Sequence, residues 1–212
     1  MYQPQHFRDD DLAAQHGLIR AHPLGMLVSA GPGGLIANPV PFTLYPDEGP
    51  FGTLRCHVAR ANQQWRELQA VEECLVVFQG PQAYITPSWY ATKRETGKVV
   101  PTWNYATVHA WGRPVMTDDQ TWLRRQIDDL TVVNEGGLPH PWEVDDAPES
   151  FIASQIKGIV GIEFQVARIE GKWKMSQNRP EADRVGVVAG LRAQGGEAAV
   201  VGEIVAERGG VE

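Results

Sequence analysis

Apolar and polar positions alternate with a period of two through most of the middle of the chain, and a 3.6-residue period shows mainly at its flanks. A first helix is expected from Asp9 as N-cap, with Asp10 and Asp11 in its first turn, to a stop before Pro23. Two β-rich runs, 24–30 and 35–45, enclose the Gly-Pro-Gly-Gly stretch 31–34 and read as a hairpin. Pro39 and Pro41 put the middle of the second run at a sheet edge or bulge, because proline cannot donate to a ladder. A turn at 46–50, a strand at 51–58 and a short helix at 61–71 follow, the helix carrying Trp65 and Leu68 on one stripe. A buried strand is expected at 74–80 and a shorter one at 83–86; residues 87–106 have no period and read as a long ordered loop. A strand resumes at 106–116, and Thr117 to Gln120 form a capping-box pattern opening a helix with Trp122, Ile127 and Leu130 inward. From Ile159, residues Val160, Ile162, Phe164 and Val166 alternate on one strand face, and from Pro180 one or two helices are expected with glycine breaks. Strands joined by hairpins, with helices flanking them, favour a mainly β, α+β arrangement: an antiparallel barrel of about six strands rather than a doubly wound sheet.

Length and charge narrow the picture. The 212 residues suffice for a sizeable core without metals or disulfides, and are read as one domain, 1–212, with a helical segment over about 180–212. With 26 acidic against 19 basic residues the net charge is −7, which works against nucleic acid and anionic membrane surfaces. The first residues lack the basic-then-apolar pattern of a signal peptide, and apolar runs of about five residues fall short of the roughly 20 needed for a transmembrane helix. Cys56 and Cys74 both lie in apolar surroundings, so a cytoplasmic location is expected. The six histidines lack ligand spacing, no metal site is expected, and neither a phosphate loop nor a nucleophile elbow is present.

Candidate chemistry concentrates in four places. Tyr84, Trp89, Tyr90, Trp103 and Tyr105 put five aromatics into 22 residues, either to cover a flat ligand or to seal the end of a barrel. His57, Arg60 and Asn62 run from a strand end into a helix start, where an arginine, an amide and free backbone N–H groups converge on an anion. Lys98 to Tyr105 brings Thr102, Trp103, Asn104 and Tyr105 together, and Lys172 to Arg179 supplies Lys172, Lys174, Ser176, Gln177, Asn178 and Arg179. Charged donors suit a phosphate, while amides and aromatic walls suit a heteroaromatic ring with carbonyls; flavin mononucleotide (FMN) has both parts. A lone strand histidine such as His57 is also well explained as a hydrogen-bonded structural residue.

These runs resemble the PaiB family, bacterial proteins grouped as FMN-binding negative transcriptional regulators. The resemblance lies in Met1-Tyr-x-Pro with Phe7, in His57-x-Ala-Arg60-Ala-Asn62 with Trp65, in Phe78-Gln-Gly-Pro81-x-Ala-Tyr84-Ile-Thr-Pro87-Ser-Trp89-Tyr90, in Val100-Pro-Thr102-Trp-Asn104-Tyr105, and in Gly171-Lys-x-Lys174-Met-Ser176-Gln-Asn-Arg179. It implies an antiparallel split β-barrel of the FMN-binding type, a homodimer with its flavin site at the interface, and FMN as cofactor. By extension from that fold, the Arg60 segment with His57 and Asn62 would hold the phosphate. Trp89, Lys93, the Thr102–Tyr105 segment and the Ser176–Arg179 segment would reach the flavin or its phosphate. Cys56 stands where the family pattern commonly has glycine, and Pro39 and Gln82 where it often has histidine. The implied function is FMN binding of the transcriptional-regulator type. The alternatives are a flavin-dependent or haem-related oxidoreductase acting on a small molecule, and a binding module with a vestigial flavin site. Direct DNA contact sits poorly with −7 per protomer and with the absence of a helix-turn-helix or basic arm.

Overall fold

The structure is a computed structural model describing residues 1–211. In chain order the elements are β1 (Arg8–Asp9), α1 (Leu12–Ala21), β2 (Leu24–Gly31), β3 (Gly34–Pro41), β4 (Thr43–Tyr45), β5 (Thr53–Ala59), α2 (Gln64–Leu68), β6 (Cys74–Ile85), α3 (Ala91–Thr96), β7 (Thr102–Thr117), α4 (Gln120–Glu135), α5 (Glu149–Lys157), β8 (Ile159–Lys174), α6 (Glu181–Gln194) and α7 (Gly196–Gly209). The eight strands form one sheet in the order β3-β2-β6-β7-β8-β5-β4, with β1 paired to β8, and every pairing with a defined register is antiparallel. Backbone contacts divide the chain into two compact units, each assembled from non-contiguous segments: 1–15, 79–108 and 170–212 form the first, 16–78 and 109–169 the second.

In the second unit the period-two pattern becomes the core. Leu54, Cys56 and Val58 of β5 face Phe164, Ile162 and Val160 of β8 in register, and all six are at most 6% exposed. Each such side chain contributes roughly 1.5–3 kcal/mol by leaving water. Pro39 and Pro41 lie on β3, an end strand of the sheet, as their missing N–H groups require. A satellite cluster of Leu123, Val144, Ile152 and Ile156 fixes α4 and α5. In the first unit α6 and α7 form a helical hairpin through Val187, Val188, Leu191, Val201 and Val205, all fully or almost fully buried.

Several expected boundaries move. Asp9 belongs to β1, and the side chain of Asp11 accepts from Ala13 N at the start of α1. The runs at 74–80 and 83–86 are one strand, β6, because Pro81 costs a single donor in a strand that continues past it. The expected loop 87–106 holds a short helix, α3, and ends early: Thr102 to Tyr105 open the 16-residue strand β7. Helix α2 spans only Gln64–Leu68. Asp119, not Thr117, caps α4 by accepting from Trp122 N at 2.7 Å, and Leu123 and Gln126 are its most buried residues. Helix α5 lies in a stretch to which the sequence pattern assigns no element; Ile152 and Ile156 are buried and Phe151 beside them is 54% exposed.

Candidate functional site

In the first unit, β7 and β8 bring Thr102, Asn104, Lys174 and Ser176 to one cavity of about 140 Å³, completed by Phe7, Val100, Pro101, Asn178 and Arg179. Period-two spacing puts Lys172 and Lys174 on the same face of β8. The Lys174 ammonium donates to the Thr102 hydroxyl and, at 2.5 Å, to the Trp103 carbonyl. Burial, and then the charges of Lys172 and Arg179, hold its pKa below the usual lysine value. No carboxylate lies within 4 Å of the charged atoms of Lys172, Lys174 or Arg179 among the described residues. The charges of Lys172 and Arg179 therefore oppose that of Lys174, with no ion-paired carboxylate among the described residues to offset them.

Arg179 stacks its guanidinium 4.5 Å from the centre of the Tyr90 ring, while its backbone N–H donates to Ser176 O and closes a turn. Ser176 is 3% exposed, sits at φ 64°, and accepts from Asn104 Nδ2 at 2.9 Å. A left-handed serine costs energy, and such strain is found where a backbone must present groups to something. Gln177 is spent within the same turn, accepting from Met175 N and donating to Trp173 O.

The other expected residues do not line that cavity. Trp103 is 53% exposed and meets Tyr84, itself 48% exposed, edge-on at 5.9 Å. Tyr105 lies under the Lys172 ammonium at 5.2 Å. Trp89 packs against α6, where a Cβ at Gly186 or Gly190 would overlap its backbone or indole, and exposed Lys93 donates to Ser88 Oγ at 3.0 Å. In the second unit, His57 Nδ1 meets Gln126 Oε1 at 2.6 Å. The Asn62 side chain accepts from Gln64 N, a turn contact. Arg60 donates through Nε to Lys157 O and through Nη2 to Ile159 O, both at 3.0 Å. Its cleft of about 400 Å³ also contains Trp65, Asp118 and Asp119, so two carboxylates oppose an anion there.

Phe7, Val100 and Pro101 were not singled out as cavity walls. They stand at the N-terminus and in the segment before β7, and only the three-dimensional fold joins them to β8.

An antiparallel sheet of long strands with flanking helices is the arrangement of the split-barrel flavoproteins. Residues 1–168 match the family model FMN_bind_2, described as "Putative FMN-binding domain", and the chain belongs to that family. A protein of Emericella nidulans, AN0679, is 37% identical over 228 residues, covering 91% of this chain and 91% of its own length. The Bacillus subtilis protease synthase and sporulation protein PAI 2 is 32% identical over 195 residues, covering 91% of this chain and 89% of its own. Among solved structures, the flavocytochrome Anf3 of Azotobacter vinelandii has the same fold at a TM-score of 0.54 and 16% identity, covering 79% of this chain and 69% of that one. The chain is an FMN-binding split-barrel protein related to PAI 2, and no helix among its described residues is long and apolar enough to cross a membrane.

Proposed function

We propose that two copies of this chain bind FMN between them, with the flavin phosphate held by Lys174, Arg179, Ser176 and Thr102. The observation that carries this reading is the cavity's donor set: two cations without ion-pair partners among the described residues, two hydroxyls and an amide at Asn178, around a space of about 140 Å³. That chemistry fits a phosphate monoester, which brings about −1.5 to −2 charges and several acceptor oxygens. The space is small beside the roughly 300–1,000 Å³ of complete ligand sites, so the rest of the flavin needs walls from outside it. Trp103, Tyr84 and Val100, all exposed, supply apolar surface in the same unit. When bound, the flavin supplies the redox chemistry, and the protein supplies position and electrostatics.

The homodimer rests on a second surface. On one face of β2, Leu24, Met26 and Val28 pair with Pro41, Pro39 and Ala37 of β3, and Met26 and Val28 pair with Val77 and Leu75 of β6. Leu24 is 64% and Met26 38% exposed, so this three-stranded apolar face has no cover within its unit. A second copy presenting the same face would bury it isologously.

Of the remaining readings, the flavin-dependent oxidoreductase draws more support than direct DNA binding, which a net charge of −7 opposes. Fluorescence titration of FMN with the purified chain tests the proposal: saturable quenching is expected, shifted to higher concentration in Lys174→Met and unchanged in Arg60→Ala. Quenching that survives Lys174→Met and Arg179→Ala together would remove the phosphate from this cavity.

A further inference from the structure

The Lys172 ammonium has no role in the cavity described above, yet its residue is only 6% exposed. Burying a charge is costly unless it is paired and hydrogen-bonded. Lys172 has neither an ion pair nor a side-chain hydrogen-bond acceptor among the described residues. Two aromatic rings lie against it: the Tyr105 ring centre at 5.2 Å and, at 5.5 Å, that of Tyr2, itself 83% exposed. The carboxylates within reach in sequence and register are already engaged. Glu170 takes the Met1 ammonium at 2.6 Å, Asp9 takes Arg208 at 2.6 Å, and Asp10 takes Arg8, the residue opposite Lys172 in the ladder, at 2.7 Å.

Charge arithmetic points the same way. Lys172, Lys174 and Arg179 bring three positive charges together, and both neighbours are felt by Lys174. A phosphate monoester supplies about −1.5 to −2, leaving roughly one positive charge unmatched. We infer that Lys172, walled by Tyr2 and Tyr105, is a second anion subsite, and that it recognises the carboxylate of a small acidic molecule with an apolar or aromatic body. One ammonium offers three donors on a single atom, enough for a carboxylate but short of the set a phosphate takes up in the neighbouring cavity. The two phenol rings complement a flat apolar body rather than a hydrated ion. The inference rests on the FMN reading only for the occupancy of Lys174 and Arg179; that Lys172 lacks a carboxylate partner among the described residues stands without it.

Calorimetric titration of the FMN-loaded chain with sodium benzoate tests this, with benzyl alcohol as the uncharged counterpart. Saturable benzoate binding is expected, weakened about tenfold or more in Lys172→Met, kept within about threefold in Lys172→Arg, and absent for benzyl alcohol. Should Lys172→Met prove unstable, Tyr105→Leu removes one wall while keeping the charge and should also weaken benzoate. Equal benzoate affinity in wild type and Lys172→Met, equal binding of benzyl alcohol, or no benzoate binding to the wild-type chain would each overturn the subsite. So would benzoate competing with FMN, which would merge the two sites. The FMN arm is separate: FMN affinity of Lys172→Met should stay within about threefold of wild type, because Lys172 lines no part of the phosphate cavity. A wild-type chain that fails to bind FMN but binds benzoate through Lys172 would overturn the proposed function and leave this subsite standing.

Discussion

Asn104 and Ser176 hold each other across β7 and the turn after β8: Asn104 Nδ2 donates to Ser176 Oγ at 2.9 Å, and Ser176 is the non-glycine residue with positive φ among those described. Asn104 is fully buried, so Asn104→Ala leaves the Ser176 hydroxyl without its partner and lowers stability by about 1–3 kcal/mol. Ser176→Gly loses the same bond but releases a left-handed cost of roughly 1–2 kcal/mol, so its urea midpoint should lie nearer wild type. Both variants should bind FMN more weakly. A midpoint unchanged in Asn104→Ala would show that this pair does not hold the turn.

Lys174→Met and Arg179→Ala should each weaken FMN binding by about 1.5–3 kcal/mol, roughly ten- to hundredfold in Kd by fluorescence titration. Arg60→Ala should leave FMN affinity near wild type. It should lower the Tm instead, because the carbonyls of Lys157 and Ile159 lose their donor.

The lowered Lys174 pKa makes the cofactor-free chain's stability depend on pH. Between the folded value and the usual 10.5, the unfolded chain binds the proton that the folded chain has released. Stability therefore rises with pH across that window as far as this group is concerned. Urea unfolding at several alkaline pH values should show a shallower rise in Lys174→Met than in wild type.

Tyr45 titrates in the opposite sense. Burial, followed by its hydrogen bond to Asp129, raises its pKa to about 12. Its contribution to stability is full below the ordinary tyrosine value of 10.0 and is lost as pH rises through the folded value. Phenolate absorbance at 295 nm should show a late ionisation that Tyr45→Phe removes.

Met26→Lys places a charge in the exposed apolar face of β2. Sedimentation equilibrium should report dimer for the wild-type chain and a shift toward monomer for the variant, with far-UV circular dichroism unchanged. A wild-type chain that sediments as a monomer with FMN bound would overturn the interface reading.

Much of the strand content was legible because one face of each strand is buried. The alternation Val160, Ile162, Phe164, Val166 marks β8, and its partners Leu54, Cys56 and Val58 mark β5. Boundaries were less legible where a local signal competes with the sheet. Pro81 reads as a break and is not one, and Asp9 reads as a helix cap while its backbone pairs with Gly171. The polar runs around Asn104 and Ser176 were visible as site candidates. Their mutual contact was not, since 72 residues separate them. Nor could spacing alone show that Trp89 packs on glycines of α6, that Gln177 closes its own turn, or that Arg60 is spent on carbonyls.

The first unit draws on the beginning, middle and end of the chain, and its anion cavity needs Phe7, Thr102 and Arg179 together. A ribosome must therefore have passed residue 179 before any part of that cavity can close. Phosphate capture in that cavity, as proposed, would belong to the finished polypeptide and could not guide the nascent one. Strands β2 to β5, which lie wholly in the second unit, emerge before that cavity is complete and must fold, or wait, without it.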